Sequence, residues 1–505
     1  MKGTHRFTKV AGWLTATIAT GFSLSSGGSV LAQVKPRPTP VKLAQVAPSI
    51  CPAQLGSAIN RVLSRSAFSS GRVSVLVQTL GAGGDRTTLF SRNPNLLLIP
   101  ASNNKLFTTA AALSRLGADY RIRTVVYGNS DQPNLETLRI IGQGDPSLTT
   151  GSLTGLAQQL TQKGIRQVNL LIGDDTYFQG PAINPYWDRE DTLAGYGAAV
   201  NSLMLNQNGV GFSLVPRQVG QPLGIQWDDP TDAADWRVSN QSVTASASAA
   251  EYVDAIRDPN QSIIRVSGQL RVGSAAEPVA VSVANPGNYL VSKFRLVLGQ
   301  RGIAIARSTL VKTTPAPPGE VELAAVESPP LTQLLTEANR ESNNTYTEAL
   351  LKTLGRLQNP ATQNATDSGI AAVKAILAPL GVNPGGYTMV DGSGLADRNR
   401  ANAAAFVQTL QVMAQQPTAQ VFRDSLAVAG VNGTLKNRFR NTPAQGRFQG
   451  KTGTISGVVS LSGYLTPANY PPLTLSILVN SGSSAATVRS GVDEIVLLLT
   501  RLRSC

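Results

Sequence analysis

Apolar and polar positions alternate along "GRVSVLVQTL" (71–80), the two-residue period of a strand, and "TTLFSRNPNLLLIPAS" reads as a second strand running into a loop. The period then changes. In "SNNKLFTTAAALSRLG" (102–117) apolar residues recur at helical spacing, Pro100 stands just ahead of the start, and Gly117 fits the C-cap. From about 118 to 325 the pattern is one of short strands and turns: "YRIRTVVYG", "LRIIGQGDPSL", "VNLLIGDDTYF", "GVGFSLVP" and "SIIRVSGQL". A proline-rich stretch, "KTTPAPPGEV", marks its end. Helical spacing returns in "PPLTQLLTEANRESNNTYTEALLKTLG", one or two helices, and in "SGIAAVKAILAPLG". Two strand candidates, "GVVSLSGYLT" and "LTLSILVNSG", precede a closing amphipathic helix, "AATVRSGVDEIVLLLTRL". Helix-rich ends around a strand-rich middle predict an α+β domain split by a long insertion, without internal repeats.

The N-terminus follows another logic. Lys2, Arg6 and Lys9 precede an apolar run from Val10 to about Leu24, and "SVLA" places Val30 and Ala32 where a signal peptidase needs small or modest residues. Residues 1–32 therefore read as a secretory signal. A retained anchor is the alternative, but the Thr, Ser and Gly residues in the run suit a spanning helix poorly. No other stretch is long and apolar enough to span, so no membrane anchor is expected after cleavage. Residues 33–50, with "QVKPRPTPVKLAQVAPS", read as an extended tether. The remainder is too long for one hydrophobic core and implies two or three domains.

The net charge is +14. Losing the three basic residues of the signal brings it to about +11, which suits an exported protein among anionic polymers such as cell wall. Nucleic acid is not an expected partner, because the chain is exported and shows no basic run or RNA-binding signature. Only two cysteines occur, Cys51 and Cys505. An even count in an oxidising compartment points to one disulfide, with two unrelated free thiols as the alternative. Two cysteines cannot form a structural zinc site without histidine partners, and the one histidine, His5, leaves with the signal. No metal and no cofactor is implied.

Ser102 and Lys105 lie one turn apart at the start of the predicted helix. A buried lysine there is pushed towards its neutral form by desolvation and by the positive end of the helix dipole, and can then take a serine proton in place of histidine. Alone, S-x-x-K is a weak signal, since roughly two matches arise by composition in a chain of this length. Two later motifs strengthen it. "RESNNTYTEALL" holds Ser342 and Asn344, an S-x-N, and "FQGKTGTISGVVSLSGY" holds Lys451, Thr452 and Gly453, a K-T-G. Taken singly, the S-x-N could be a solvated helix turn and the "GKTG" the opening of a strand. Together, in order, each with its fitting local context, they resemble the trio of penicillin-binding proteins and serine β-lactamases.

The resemblance extends further. "GQGDPSL", "LIGDDTYF", "VDGSGLADRN" and "AGVNGTLKNR", with the long insertion after the first motif, are similar to the D-alanyl-D-alanine carboxypeptidase/endopeptidase family, the low-molecular-mass class C penicillin-binding proteins. That resemblance spans about residues 51–505. It implies a β-lactamase/transpeptidase-like core, a helical subdomain beside a five-stranded antiparallel sheet, formed by 51–117 and 326–505. Residues 118–325 would form the insertion, with a nested domain at about 206–282. By the same resemblance Ser102 acylates on the penultimate D-Ala of peptidoglycan stem peptides, Lys105 is its base, and Ser342 relays a proton to the leaving amine. Asn344 holds the acyl peptide, and Lys451 and Thr452 meet the terminal carboxylate. Gly453 lets the strand backbone approach, and the amides of Ser102 and Thr454 form the oxyanion hole. β-Lactams would be covalent inhibitors.

Family members read the substrate side chain with residues whose matches here are Asp174, Asp175 and Phe178, with Arg398, and with Ser456, where some relatives carry glutamine. A strand-capping turn is the alternative for the acidic pair. In cores of this kind the first and last helices lie side by side, which would bring Cys51 and Cys505 together. The rival readings are a secreted β-lactamase, which rarely needs so long an insertion, and a wall-binding pseudoenzyme, disfavoured by the intact motifs. A histidine-based lipase or protease and a zinc peptidase both lack their histidine. An exported location, periplasm or cell wall, is expected.

Overall fold

The computed structural model describes residues 48–81, 86–313 and 319–505. The signal sequence with His5, and the tether up to residue 47, lie outside the described residues.

The two ends of the chain build one sheet. Its strands run Ala427–Val428, Phe448–Ile455, Val458–Leu465, Leu473–Asn480, Arg72–Thr79 and Thr88–Arg92, each antiparallel to its neighbour. Five strands were expected. The sixth, Ala427–Val428, is an edge strand of two residues that pairs only with Gly450 and Gln449, too short for a two-residue period to register in sequence.

Both faces of the central strands are covered. Val73, Val75, Val77, Leu461, Ile477 and Val479 pack against the helices Pro52–Leu63 and Ala485–Thr500. Each such side chain contributes about 1.5–3 kcal/mol by leaving water. The opposite face is polar yet buried: Ser74, Ser460, Ser462, Thr474 and Ser476 are all shielded from solvent. A buried hydroxyl must find a partner, and several find one in the segment that carries Ser102.

The first and last helices meet as the resemblance implied. Cys51 and Cys505 form a disulfide, with Cα atoms 5.8 Å apart. Beside it, the Ile50 amide donates to Arg501 O (2.9 Å) and the Arg503 amide to Ile50 O (3.1 Å).

The insertion contains more helix than its pattern suggested. A five-stranded sheet runs Ala304–Val311, Gln167–Asp174, Asn134–Gly142, Arg123–Gly128 and Val321–Glu327. Its first three strands are mutually parallel. Parallel neighbours require a crossover, and the helices Thr150–Gln162 and Pro286–Gln300 supply it. Strands between 209 and 282 form two smaller sheets. Lys293 on the second helix pairs with Asp232 at 2.8 Å, both buried, tying this part to the larger sheet. Among the described residues no helix is long and apolar enough to cross a membrane.

Candidate active site

Ser102 does not start the α-helix itself. It lies in a 3₁₀ turn, Ala101–Asn104, that leads into the helix Lys105–Leu116, which ends at Gly117 in a left-handed conformation (φ 80°). The turn is strained: Ala101 has φ 47°, a region that costs an L-residue about 1–2 kcal/mol. The polar sheet face holds it in place. Ser460 Oγ donates to Pro100 O (2.7 Å), and Asn103 Nδ2 donates to Ser462 Oγ (2.7 Å), which in turn bonds Ser476 Oγ (2.8 Å). Asn104 Nδ2 donates to Asp391 O (2.9 Å). Asn103 and Asn104 thus anchor the turn from two sides.

Two glycines let backbone crowd in. A Cβ on Gly453 would stand 2.2 Å from Ser460 Oγ and 3.0 Å from the Ser102 amide nitrogen. A Cβ on Gly394 (φ 80°) would stand 1.9 Å from Ala101 O. The strand Phe448–Ile455 and the loop around Gly394 therefore close on the Ser102 turn as near as backbone allows.

Lys105 is fully buried. Its Nζ lies 3.1 Å from Ser102 Oγ, 2.6 Å from Asn344 Oδ1 and 2.8 Å from Ser393 O. Burial pulls its ammonium down to about 7, against the opposing pull of Asp391 and Glu348. Asn344 opens the helix Asn344–Gln358, and its Nδ2 donates to Tyr196 O (2.9 Å), a carbonyl of the insertion. That bond turns the amide oxygen towards Lys105.

Ser342 sits between two helices, Leu331–Asn339 and Asn344–Gln358, with φ 64°. Lys451 Nζ donates to its hydroxyl (2.8 Å) and to Thr452 O (2.7 Å). Lys451 is buried as well, and burial, reinforced by Lys105 nearby, holds its ammonium well below the usual lysine value, with Glu341 opposing. Thr452 Oγ1 bonds Thr434 Oγ1 (2.9 Å). The two-residue edge strand ends its pairing at Gly450. From Lys451 onwards, the outer edge has no strand partner among the described residues, and Thr454 is exposed there.

Short contacts thus join Ser102, Lys105 and Asn344 in one set and Ser342 and Lys451 in another, and the charge of Lys105 acts on Lys451. The residues matched to side-chain recognition are more dispersed. Asp174 is 1% exposed, pairs with Arg139 (3.3 Å), and accepts the amide and hydroxyl of Thr176 at the strand end. Asp175 Oδ1 accepts from Asn201 Nδ2 and from the Ser202 and Leu203 amides, and burial raises its carboxyl above the usual range. Phe178 is buried, its ring filling the space above Gly144. Arg398 is exposed and stacks on the Tyr186 ring at 4.8 Å. Ser456 is exposed in the turn after Phe448–Ile455. The Ser393 carbonyl, Tyr196 carbonyl and Thr434 were not foreseen; two of them act through backbone atoms, which leave no side-chain signature.

The D-Ala-D-Ala carboxypeptidase 3 (S13) family model matches residues 55–502. The chain belongs to that family. It is 33% identical over 463 residues to a D-alanyl-D-alanine carboxypeptidase of Actinomadura sp. (strain R39), covering 88% of this chain and 84% of that one. It is 26% identical over 449 residues to the penicillin-sensitive carboxypeptidase A of Dictyostelium discoideum, covering 83% and 85%. The crystal structure of penicillin binding protein 4 (dacB) from Haemophilus influenzae superimposes with a TM-score of 0.74 at 22% identity, covering 87% of this chain and 98% of that one. At that identity the likeness speaks for the fold: an α+β, transpeptidase-like core with an insertion.

Proposed function

We propose that the protein is a serine-type D-alanyl-D-alanine carboxypeptidase, able also to act as an endopeptidase, on peptidoglycan stem peptides. The observation that carries this reading is the placement of the Lys105 amine between Ser102 Oγ and two carbonyl oxygens. A neutral amine has two hydrogens and one lone pair. Asn344 Oδ1 and Ser393 O take the hydrogens, which leaves the lone pair for the Ser102 proton. Ser102 Oγ then bonds to the carbonyl carbon of the penultimate D-Ala, and its proton passes to Lys105. The amides of Ser102 and Thr454 stabilise the oxyanion. Breakage of the C–N bond releases D-Ala, its amine protonated by way of Ser342, and Lys451 and Thr452 receive the terminal carboxylate. Water then hydrolyses the acyl-enzyme.

The open edge beyond Gly450 suits an extended peptide laid beside Lys451–Thr454. In this reading 51–117 and 326–505 form the catalytic core and 118–325 the insertion, whose nested part spans about 206–282. The protein acts outside the cytoplasm, in the periplasm or wall, and β-lactams acylate the same serine. The test is incubation with a labelled penicillin followed by intact-mass analysis and peptide mapping. A single adduct on Ser102 is expected, and it should persist; rapid turnover would favour the β-lactamase reading. An adduct elsewhere, or none, overturns the proposal.

Arg398 and Tyr186 present the exposed cation and ring at the surface of this region. We place recognition of the peptide side chain there and at Ser456 on the strand side, with Asp174, Asp175 and Phe178, held by their own partners in the insertion, acting on it indirectly. Replacing Arg398 with alanine is expected to raise KM for stem peptides several-fold more than it slows penicillin acylation. Equal losses in both assays would mean that Arg398 supports the site instead.

A further inference from the structure

The helix Asn344–Gln358 carries charge where a buried helix ordinarily carries apolar side chains. Asn344, Glu348 and Lys352 follow one another at four-residue spacing, so they share a face. Glu348 is 2% exposed and Lys352 4%. Lys352 Nζ donates to Pro181 O and Val200 O, both 2.8 Å, docking the insertion. Glu348 turns the other way, into the loop after Val390. Its Oε1 accepts the amides of Gly392 (3.0 Å) and Ser393 (2.7 Å). The carbonyl of that same Ser393 holds Lys105 Nζ. Asp391 braces the rest of the loop, accepting from the Gly394 and Ala396 amides, Asn399 Nδ2 and Trp187 Nε1.

A neutral side chain such as glutamine could also accept these two amides. A carboxylate in a dry interior is costly, and Glu348 makes no ion pair among the described residues. Its charge acts on the groups that face it: Lys105 on the Ser102 helix, Lys352 on its own helix, and Asp391 in the loop. Lys105 also faces Lys451. Burial and then Asp391 lift Glu348 to about 7, the same region as Lys105.

We propose that Glu348 is a positioning residue for proton transfer at Ser102: it grips the Gly392 and Ser393 amides so that the Ser393 carbonyl aims the Lys105 amine at the nucleophile, and its negative charge supports the proton that amine receives. The inference rests on the reading of Ser102 and Lys105 as nucleophile and base.

The test measures the penicillin acylation rate against pH for the full-length wild-type protein and two variants, with each adduct mapped by mass and each fold checked by thermal melting. Glu348→Gln keeps an acceptor for the amides and removes the charge. Around neutral pH, where wild-type Glu348 ionises, Lys105 then gives up its proton more readily, so the midpoint of the acid limb should move to lower pH by up to about one unit, while well below pH 7, where burial keeps Glu348 protonated, the two profiles should converge. Glu348→Asp keeps the charge but shortens the reach. Its plateau should fall about tenfold to a hundredfold, with a smaller movement of the limb. A purely structural role would scale each profile with the folded fraction and leave both midpoints at the wild-type value, which would overturn the proposal. If one variant fails to fold, the other still tests its own half. Absence of a Ser102 adduct in the wild type would instead overturn the nucleophile assignment, a different result.

Discussion

Replacing Lys105 with arginine is expected to slow acylation of Ser102 by about 10²–10⁴-fold, the usual worth of a positioned general base. The charge would be kept and the base lost. Arginine stays protonated at any workable pH, and its planar fork has five donors and no acceptor. At the Lys105 position it would meet Asn344 Oδ1 and Ser393 O but offer no lone pair to Ser102. The wild-type pH profile carries the same information. Burial brings Lys105 to about 7. Below that pH the amine is protonated and the rate should drop about tenfold per unit; above it the rate should level off. The arginine variant should show no such limb. The measurement is the acylation rate with a labelled penicillin between about pH 5 and pH 9. A near-wild-type rate for the variant at neutral pH would remove Lys105 from the role of base.

The candidate catalytic cluster was readable because its logic is local. Ser102 and Lys105 meet through one turn of helix, Ser342 and Asn344 through one kink between helices, and Lys451 to Gly453 through one strand. Short-range geometry makes each motif recognisable, and their order along the chain makes chance unlikely as a source. What supports the cluster is long-range and mostly backbone. Ser393 O, Tyr196 O and Pro100 O carry the decisive contacts, and any residue type can supply a carbonyl. Glu348 and Lys352 were hidden for the opposite reason. Charged residues at four-residue spacing read as a solvated helix face, yet here that face is covered by the loop after Val390 and by the insertion.

The insertion shows a similar divide. Leu290, Val291, Phe294, Val297 and Leu298 follow helical spacing and are buried, but the surrounding run of short strands favoured reading more strand. In "TGSLTGLAQQLTQ" two glycines and three threonines lower helix propensity. Packing of Leu153, Leu156, Ala157 and Leu160 into the core of the insertion overrides it. The acidic pair at 174–175 carried two readings in sequence, substrate contact and strand-capping turn. The partners of Asp174 are those of a cap, since its carboxylate takes the amide two residues on.

Serine substitution of Cys505 is expected to lower stability by about 2–4 kcal/mol, a factor of roughly 30 to 1,000 in the folding equilibrium. The bridge closes a span of 454 residues, for which loop-closure entropy alone sets an upper bound of about 6 kcal/mol, and real bridges usually give less. Its position makes the effect global. The helix Ala485–Thr500 covers the back of the sheet through Val488, Val492, Ile495, Val496 and Leu499. A helix end frays unless it is tied down. Cys51 caps the first helix on the same face, so the disulfide adds a covalent tie to ends that also meet through packing, the strand-like bonds of Ile50 to Arg501 and Arg503, the Arg501 side chain on Pro48 O and the Arg65–Glu494 pair. Ser102 lies on the other side of the sheet, above the buried serines. The loss should therefore appear in the melting temperature and urea midpoint, while penicillin acylation by the folded variant at low temperature changes little. Thiol titration of unfolded, unreduced protein should find no reactive cysteine. Two titrating thiols, or equal stability of wild type and variant, would show that the ends hold together without the bridge.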